Sequence, residues 1–458
     1  MPHDSMARAV CKEEDGVNYL STIRRFDRNV RLYLVTLATI GIGFVGLFSL
    51  LINLYLLRLG YGIQFVGIFG AAGVLTLALF AVPAGIIGGR IGSRRALILA
   101  MVFCSVGLAL VLLSEPMPPS IRAAWLVLTY VLGWIGGALM LVNGSPFMMA
   151  NTTSQERNHA FAVSNAVLPL AAFVGAIIGG LLPGLLAALL HVPLDDPAPY
   201  RFAMWLSVPC YLVGFLAMML TDRRTQERPA REAGPTGTAS AGASTRRFPY
   251  ALIGVMMLIL FFRLAADTAA RSYFSVYMDT SLHAPTSLIG LVSAAAQLLA
   301  VPAALAAPLM IGRLGLGRTF MFAVLALSAS VLPLALIPAV PAAAAGLLGV
   351  TVAATLSMTS VTLFHQQIVR PEWRTAMSGG VTMASGIGQA LIIFAGGFLI
   401  AAWGFSRFFL SAGALTLVAA VLFWAYFRSS RRAAAPLEVA TGAAVAEVAP
   451  EPEVLAVP

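Results

Sequence analysis

The chain has 458 residues, of which 59% are hydrophobic and 10% charged, with a formal net charge of +10. Soluble domains carry about 25% charged residues, and a mean hydropathy of +0.88 is more apolar surface than a soluble core can hide. A soluble enzyme, a nucleic-acid-binding domain and a disordered scaffold are excluded. What remains is a polytopic membrane protein.

Crossing a hydrocarbon core of about 30 Å takes about 20 helical residues. Apolar runs of that order are expected as helices at 32–57, 63–88, 95–113, 121–150, 160–190, 202–221, 249–278, 285–310, 318–339, 341–369, 374–402 and 404–427. The sequence therefore reads as an all-α membrane protein of twelve transmembrane helices. Its organisation is a tail at 1–30, a six-helix half at 31–221, a linker at 222–248 and a second six-helix half at 249–427. Residues 428–458, rich in Ala, Pro, Glu and Val, read as a disordered tail. The linker is rich in Gly, Ala, Ser, Thr and Pro.

The charges follow the membrane, not a polyanion. Arg58, Arg122, Arg201 and Arg407 fall outside the membrane on one side, and Arg263 and Arg271 fall inside span seven. All other Arg residues, with Lys12, fall on the opposite side. That asymmetry expects both termini in the cytoplasm of a cell inner-membrane protein. Cys11, Cys104 and Cys210 suggest neither a disulfide framework nor a metal site, and the polar first thirty residues do not read as a cleavable signal. No cofactor, metal or nucleic acid is expected, and the fold needs no second copy to form a pathway.

An internal repeat links the halves. Gly89-Arg90-Ile91-Gly92 leading to Arg94 and Arg95 follows span two, and Gly312-Arg313-Leu314-Gly315 leading to Arg318 follows span eight. Arg157 and Gly179-Gly180 are echoed by Arg374 and Gly396-Gly397. Two equivalent halves suit a transporter that rocks around a central site.

On these residues the chain resembles the major facilitator superfamily over about residues 30–428. Gly85, Ile87, Arg90, Gly92 and Arg94 match the motif of that family's loop between helices two and three, with Gly89 in place of its Asp and Ser93 in place of an Arg. The departures leave the family's latch at this loop weaker or built differently. The resemblance implies two pseudo-symmetric six-helix halves and a secondary transporter working by alternating access. Gly175, Gly179 and Gly180 keep the spacing of a motif found in its proton-driven drug exporters, without the Pro, and span four has no Arg beyond Arg122. A proton-driven multidrug exporter is therefore the alternative reading. A non-transporting assembly factor or receptor with this fold is an alternative of another class.

The sharpest chemistry lies in span seven. Arg263, Asp267 and Arg271 recur at i, i+4 and i+8, one stripe drifting about 40° per step. Burying one charge at mid-membrane costs about 2.5–3.5 kcal/mol on insertion scales, so such residues face polar cavities. Either an arginine clamps a small, anionic or amphipathic organic solute, or Asp267 is a fixed counter-ion that makes the arginines tolerable. Two cations against one anion favour the clamp. Asp267 between two arginines resists protonation, so proton coupling through it is the lesser reading. Asn53, Asn165 and Gln297 are further candidates for the cavity wall, while Asn143 reads equally as an interhelical hydrogen bond. Tyr130 and Trp134, one turn apart, offer an aromatic wall to the cavity or to lipid. Gly41, Gly43 and Gly46 match a dinucleotide fingerprint but lie inside an apolar helix, so they read as packing glycines.

Overall fold

A computed structural model describes residues 26–153, 156–222, 250–368 and 374–446. With no water in a bilayer to bind spare backbone groups, the chain satisfies them within helices, and among the described residues there is no strand. The first half comprises α1 (Arg28–Arg58), α2 (Ile63–Ile91), α3 (Ser93–Leu112), α4 (Pro119–Ala150), α5 (Arg157–Leu190) and α6 (Ala198–Met219). The second comprises α7 (Tyr250–Thr280), α8 (Thr286–Leu314), α9 (Leu316–Leu336) and α10 (Val340–Ile368), followed by the helical segment Arg374–Ala446. Gly404, at φ 81°, divides that segment into α11 (374–403) and α12 (405–446).

Ten stretches among the described residues are long and apolar enough to cross a membrane, and one of them, Val381–Phe427, contains the Gly404 turn. The charged helix α7 adds to these, so the architecture fits the twelve expected spans. One boundary differs. The last helix runs to Ala446, beyond the 427 expected for span twelve. Residues 1–25, 223–249 and 447–458, which hold most of the expected tails and linker, lie outside the described residues.

The helices alternate in direction. α1 begins and α6 ends at one face of the bundle, here the terminal face. The α1–α2 and α7–α8 turns lie at the other, the hairpin face. The two halves meet through α2 against α11 and α5 against α8.

The sequence repeat is a repeat of backbone. Gly92 ends α2 and begins α3 at φ 87°, ψ 148°, and Gly315 does the same between α8 and α9 at φ 81°, ψ 159°. Side chains with a Cβ avoid this region. Each glycine N–H closes the last turn of the preceding helix, at 2.9 Å to the carbonyls of Gly88 and Ile311 respectively. The copies diverge at the second residue of the next helix. Arg94 is buried and donates from Nε to the Thr221 hydroxyl at 2.8 Å and from Nη2 to the Met219 carbonyl at 2.8 Å, capping the end of α6. Its counterpart in the second half is Gly317, which has no side chain to do this.

Within α1, Gly41–Phe48 winds as a π-helix. Here the glycines let α1 and α5 touch backbone to backbone: a Cβ on Gly46 would lie 2.4 Å from the Ala172 carbonyl oxygen. The π-turn also frees a carbonyl, and Ser207 of α6 donates to Gly43 O at 2.7 Å. These glycines are packing residues, as their apolar context implies.

Candidate functional site

Between the halves lies a cavity of about 340 Å³ walled by α1, α2, α4, α5, α7, α8, α10 and α11. Its polar lining includes Arg271, Ser272 and Ser275 from α7, Gln297 and Ser293 from α8, and Asn53 and Ser49 from α1. Three residues proposed from sequence, Arg271, Gln297 and Asn53, are thus brought to one place although they lie on three helices of two halves.

Arg271 is held through one nitrogen. Its Nε donates to Asp267 Oδ1 at 2.5 Å, one helical turn back, and its side chain is 40% exposed. Nη1 and Nη2 make no hydrogen bond among the described residues, so the outer edge of the guanidinium can accept a second anion side by side. Asn53 uses its amide nitrogen across the halves, donating to the Ser272 carbonyl at 3.0 Å. Gln297 has no hydrogen-bond partner among the described residues.

The stripe of three charges does not act as one. Arg263 is buried, 1% exposed, and turns into α10, donating from Nε to Ser357 Oγ at 2.9 Å and from Nη2 to the Ala354 carbonyl at 2.9 Å. It does not line the central cavity and makes no ion pair with Asp267. Asp267 reaches the cavity only through Arg271. Drift of the stripe, about 80° over two steps, is enough to hand its two ends to different neighbours.

Asn165 lines a second cavity, of about 520 Å³, whose wall comes from α1 to α6 alone. Of the motif residues, Gly85, Arg90, Arg95, Gly312, Arg313, Gly315 and Arg318 are exposed at or near the terminal face, and Arg94 is the buried cap already described. Asn143 makes an interhelical hydrogen bond: its Nδ2 donates to Ala84 O at 3.2 Å, joining α4 to α2.

The link that sequence reasoning missed is at the hairpin face. Arg58, at the end of α1, donates from Nη1 to Asp279 Oδ2 at 2.9 Å and from Nη2 to Oδ1 at 2.7 Å, at the end of α7. Asp195 stands 3.6 Å from Arg58 Nε, and the Tyr200 hydroxyl lies 3.3 Å from Thr286 Oγ1. Among the described residues the links between halves at Arg58–Asp279, Tyr200–Thr286 and Asn53–Ser272 lie on the hairpin side of mid-depth, while Asp195 contacts Arg58 within the first half. Gly180 and Gly290 meet there too, since a Cβ on Gly290 would fall 2.4 Å from the Gly180 Cα. The signal was present as opposite charges at equivalent ends of the two halves.

The family model for the Major Facilitator Superfamily matches residues 32–393 and, in a second match, 256–453. Solved structures of the same fold include a D-xylose-proton symporter (TM-score 0.68, 13% identity, covering 89% of this chain and 98% of that one). The nucleoside transporter NupG is similar at TM-score 0.66 and 12% identity, over 88% of this chain and 100% of its own. The human organic anion transporter MFSD10 (TETRAN) is similar at TM-score 0.55 and 15% identity, over 86% and 99%. No curated protein sequence matches. A bundle of paired six-helix halves around a polar cavity defines a membrane transporter. The chain belongs to the major facilitator superfamily.

Proposed function

We propose that the chain moves a small organic anion across an inner membrane by alternating access, with the terminal face in the cytoplasm and Arg271 as the anion clamp. The observation that carries this reading is Arg271 itself, a guanidinium in the cavity between the halves with two nitrogens unengaged. A carboxylate or phosphate there accepts two parallel charge-assisted hydrogen bonds, with Gln297 and the serines placed to orient the rest of the solute. A charged group at this depth is retained where it meets a substrate, an ion or a partner.

Rocking depends on where the halves are pinned. The hairpin face is held by Arg58–Asp279 and by the Gly180–Gly290 approach, and release of those contacts would expose the cavity to that side. Asp267, on the inner edge of Arg271, is the carboxylate with which a solute anion shares the guanidinium.

Thermal stability of the purified protein against a library of small carboxylates and phosphates tests this, because a ligand bound by the native state raises the apparent Tm by mass action. Stabilisation by an anion in the wild type and its loss in Arg271→Gln is the expected result. Equal stabilisation of both proteins would remove Arg271 from the site.

A further inference from the structure

The cavity of about 520 Å³ in the first half is lined mainly by apolar and aromatic side chains, among them Phe44, Phe48, Met140, Phe161 and Tyr211. It shares Val45, Tyr130 and Trp134 with the central cavity. Tyr130 and Trp134 are therefore a partition with an apolar chamber on one side and the Arg271 compartment on the other. The partition is built closely. Phe69 stacks on Tyr130 at 3.9 Å between centroids, Phe44 meets Trp134 edge-on at 5.5 Å, and a Cβ on Gly73 would lie 2.3 Å from Trp134 Nε1. That Nε1 is buried and, among the described residues, makes no hydrogen bond.

We infer that the solute is an amphipathic organic anion spanning both compartments, with its charged group at Arg271 and an apolar or aromatic body in the chamber of the first half. This rests on the anion reading of the central cavity and extends it to a substrate class. A chamber of this size, within the usual range of about 300–1,000 Å³ for ligand pockets, has room for a ring or a short chain. The aromatic partition stacks against such a body as it passes from one compartment to the other. A compact hydrophilic anion would leave the chamber unused.

Binding of ω-phenylalkanoates, from phenylacetate to 6-phenylhexanoate, tests the inference. The full chain is held in neutral phosphatidylcholine discs, so that no anionic lipid competes, and binding to empty discs is subtracted. Affinity should rise by up to about fourfold per methylene as the chain fills the chamber. Gly137 lines the chamber, and a Cβ there meets only the Trp134 ring at 3.5 Å. Gly137→Leu fills the chamber and should flatten the series to less than twofold per methylene. Gly133→Val is the second variant should that one fail to fold, since a Cβ at Gly133 meets only the Gly107 Cα at 3.9 Å.

A flat series in the wild type, or a slope unchanged in a folded chamber-filling variant, overturns the inference. The anion reading fails separately. If Arg271→Gln weakens no acid and phenylalkanols of equal length bind as well, the clamp falls, even where Gly137→Leu still flattens the slope. A ligand spanning both compartments then falls with it.

Discussion

Arg58 and Asp279 close a two-pronged ion pair between residues 221 apart in sequence, joining the end of α1 to the end of α7. The side chains are 18% and 9% exposed, so the pair is neither a loose surface contact nor a fully dry one. It bridges two bodies that must separate if the transporter is to open at this face. Its geometry makes it a strut whose strength sets how much of the population is closed there.

Asp279→Asn should weaken that strut by about 1–3 kcal/mol, the range for losing a charged hydrogen-bond partner. Each 1.4 kcal/mol is a tenfold change in the ratio of closed to open forms. A cysteine placed at Ser293 should then react faster with a membrane-impermeant maleimide added from the hairpin side. The exchanged pair, Arg58→Asp with Asp279→Arg, should return the labelling rate toward wild type. Labelling indifferent to both changes would mean the pair does not hold the face closed.

Gly290→Ala should act on the same equilibrium by steric means. The added Cβ falls against the Gly180 backbone, which cannot rotate away, and overpacking of this kind costs about 1–3 kcal/mol. Gly312→Ala is the control, since a Cβ there meets nothing within 4 Å. Faster hairpin-side labelling in Gly290→Ala alone is expected. Equal effects of the two would show that helix propensity, not the crossing, is responsible.

Gly92→Ala and Gly315→Ala should each lower the apparent Tm, because both force a Cβ into a backbone region that costs about 1–3 kcal/mol. Similar losses are expected from the two, as the turns share one conformation. Arg94→Ala should cost a further loss with no counterpart at Gly317, since only the first half uses an arginine to cap α6. Melting curves of the three variants decide the matter.

Asp267→Asn should tighten anion binding, by roughly tenfold or more for a unit charge removed a few ångströms from the guanidinium. In the wild type the Asp267 carboxylate already answers part of the Arg271 charge. Isothermal titration of the anion into both proteins measures the effect, and weaker binding by the variant would contradict the assignment.

Arg263 should behave differently from Arg271 although the two are eight residues apart on one helix. Arg263→Met keeps volume and removes a cation satisfied by Ser357 and the Ala354 carbonyl, so ligand affinity should stay within twofold while Tm shifts. A large loss of affinity would return Arg263 to the site.

Much of this molecule was legible in one dimension because a bilayer imposes one-dimensional rules. Length and hydropathy located the helices to within a few residues, apart from the far end of α12, and even the α11–α12 division beside Gly404, since a spanning segment must be apolar over a fixed length. The repeated Gly-Arg-apolar-Gly stretches pointed to paired halves, and the structure gives them the same turn. Spacing put Arg263, Asp267 and Arg271 on one stripe of α7. Which of them faces the cavity was decided by packing: α10 offers Ser357 and a carbonyl to Arg263, and the opening between the halves offers space to Arg271. Sequence also placed Arg58 outside the membrane without giving it a partner, because Asp279 lies on another helix of the other half. Tyr130 and Trp134 could equally have met lipid, and only the fold made them a wall between two cavities. Helix position is set by local chemistry along the chain. The partner of a charge and the space beside a ring are set by residues hundreds of positions away, which only tertiary packing brings near.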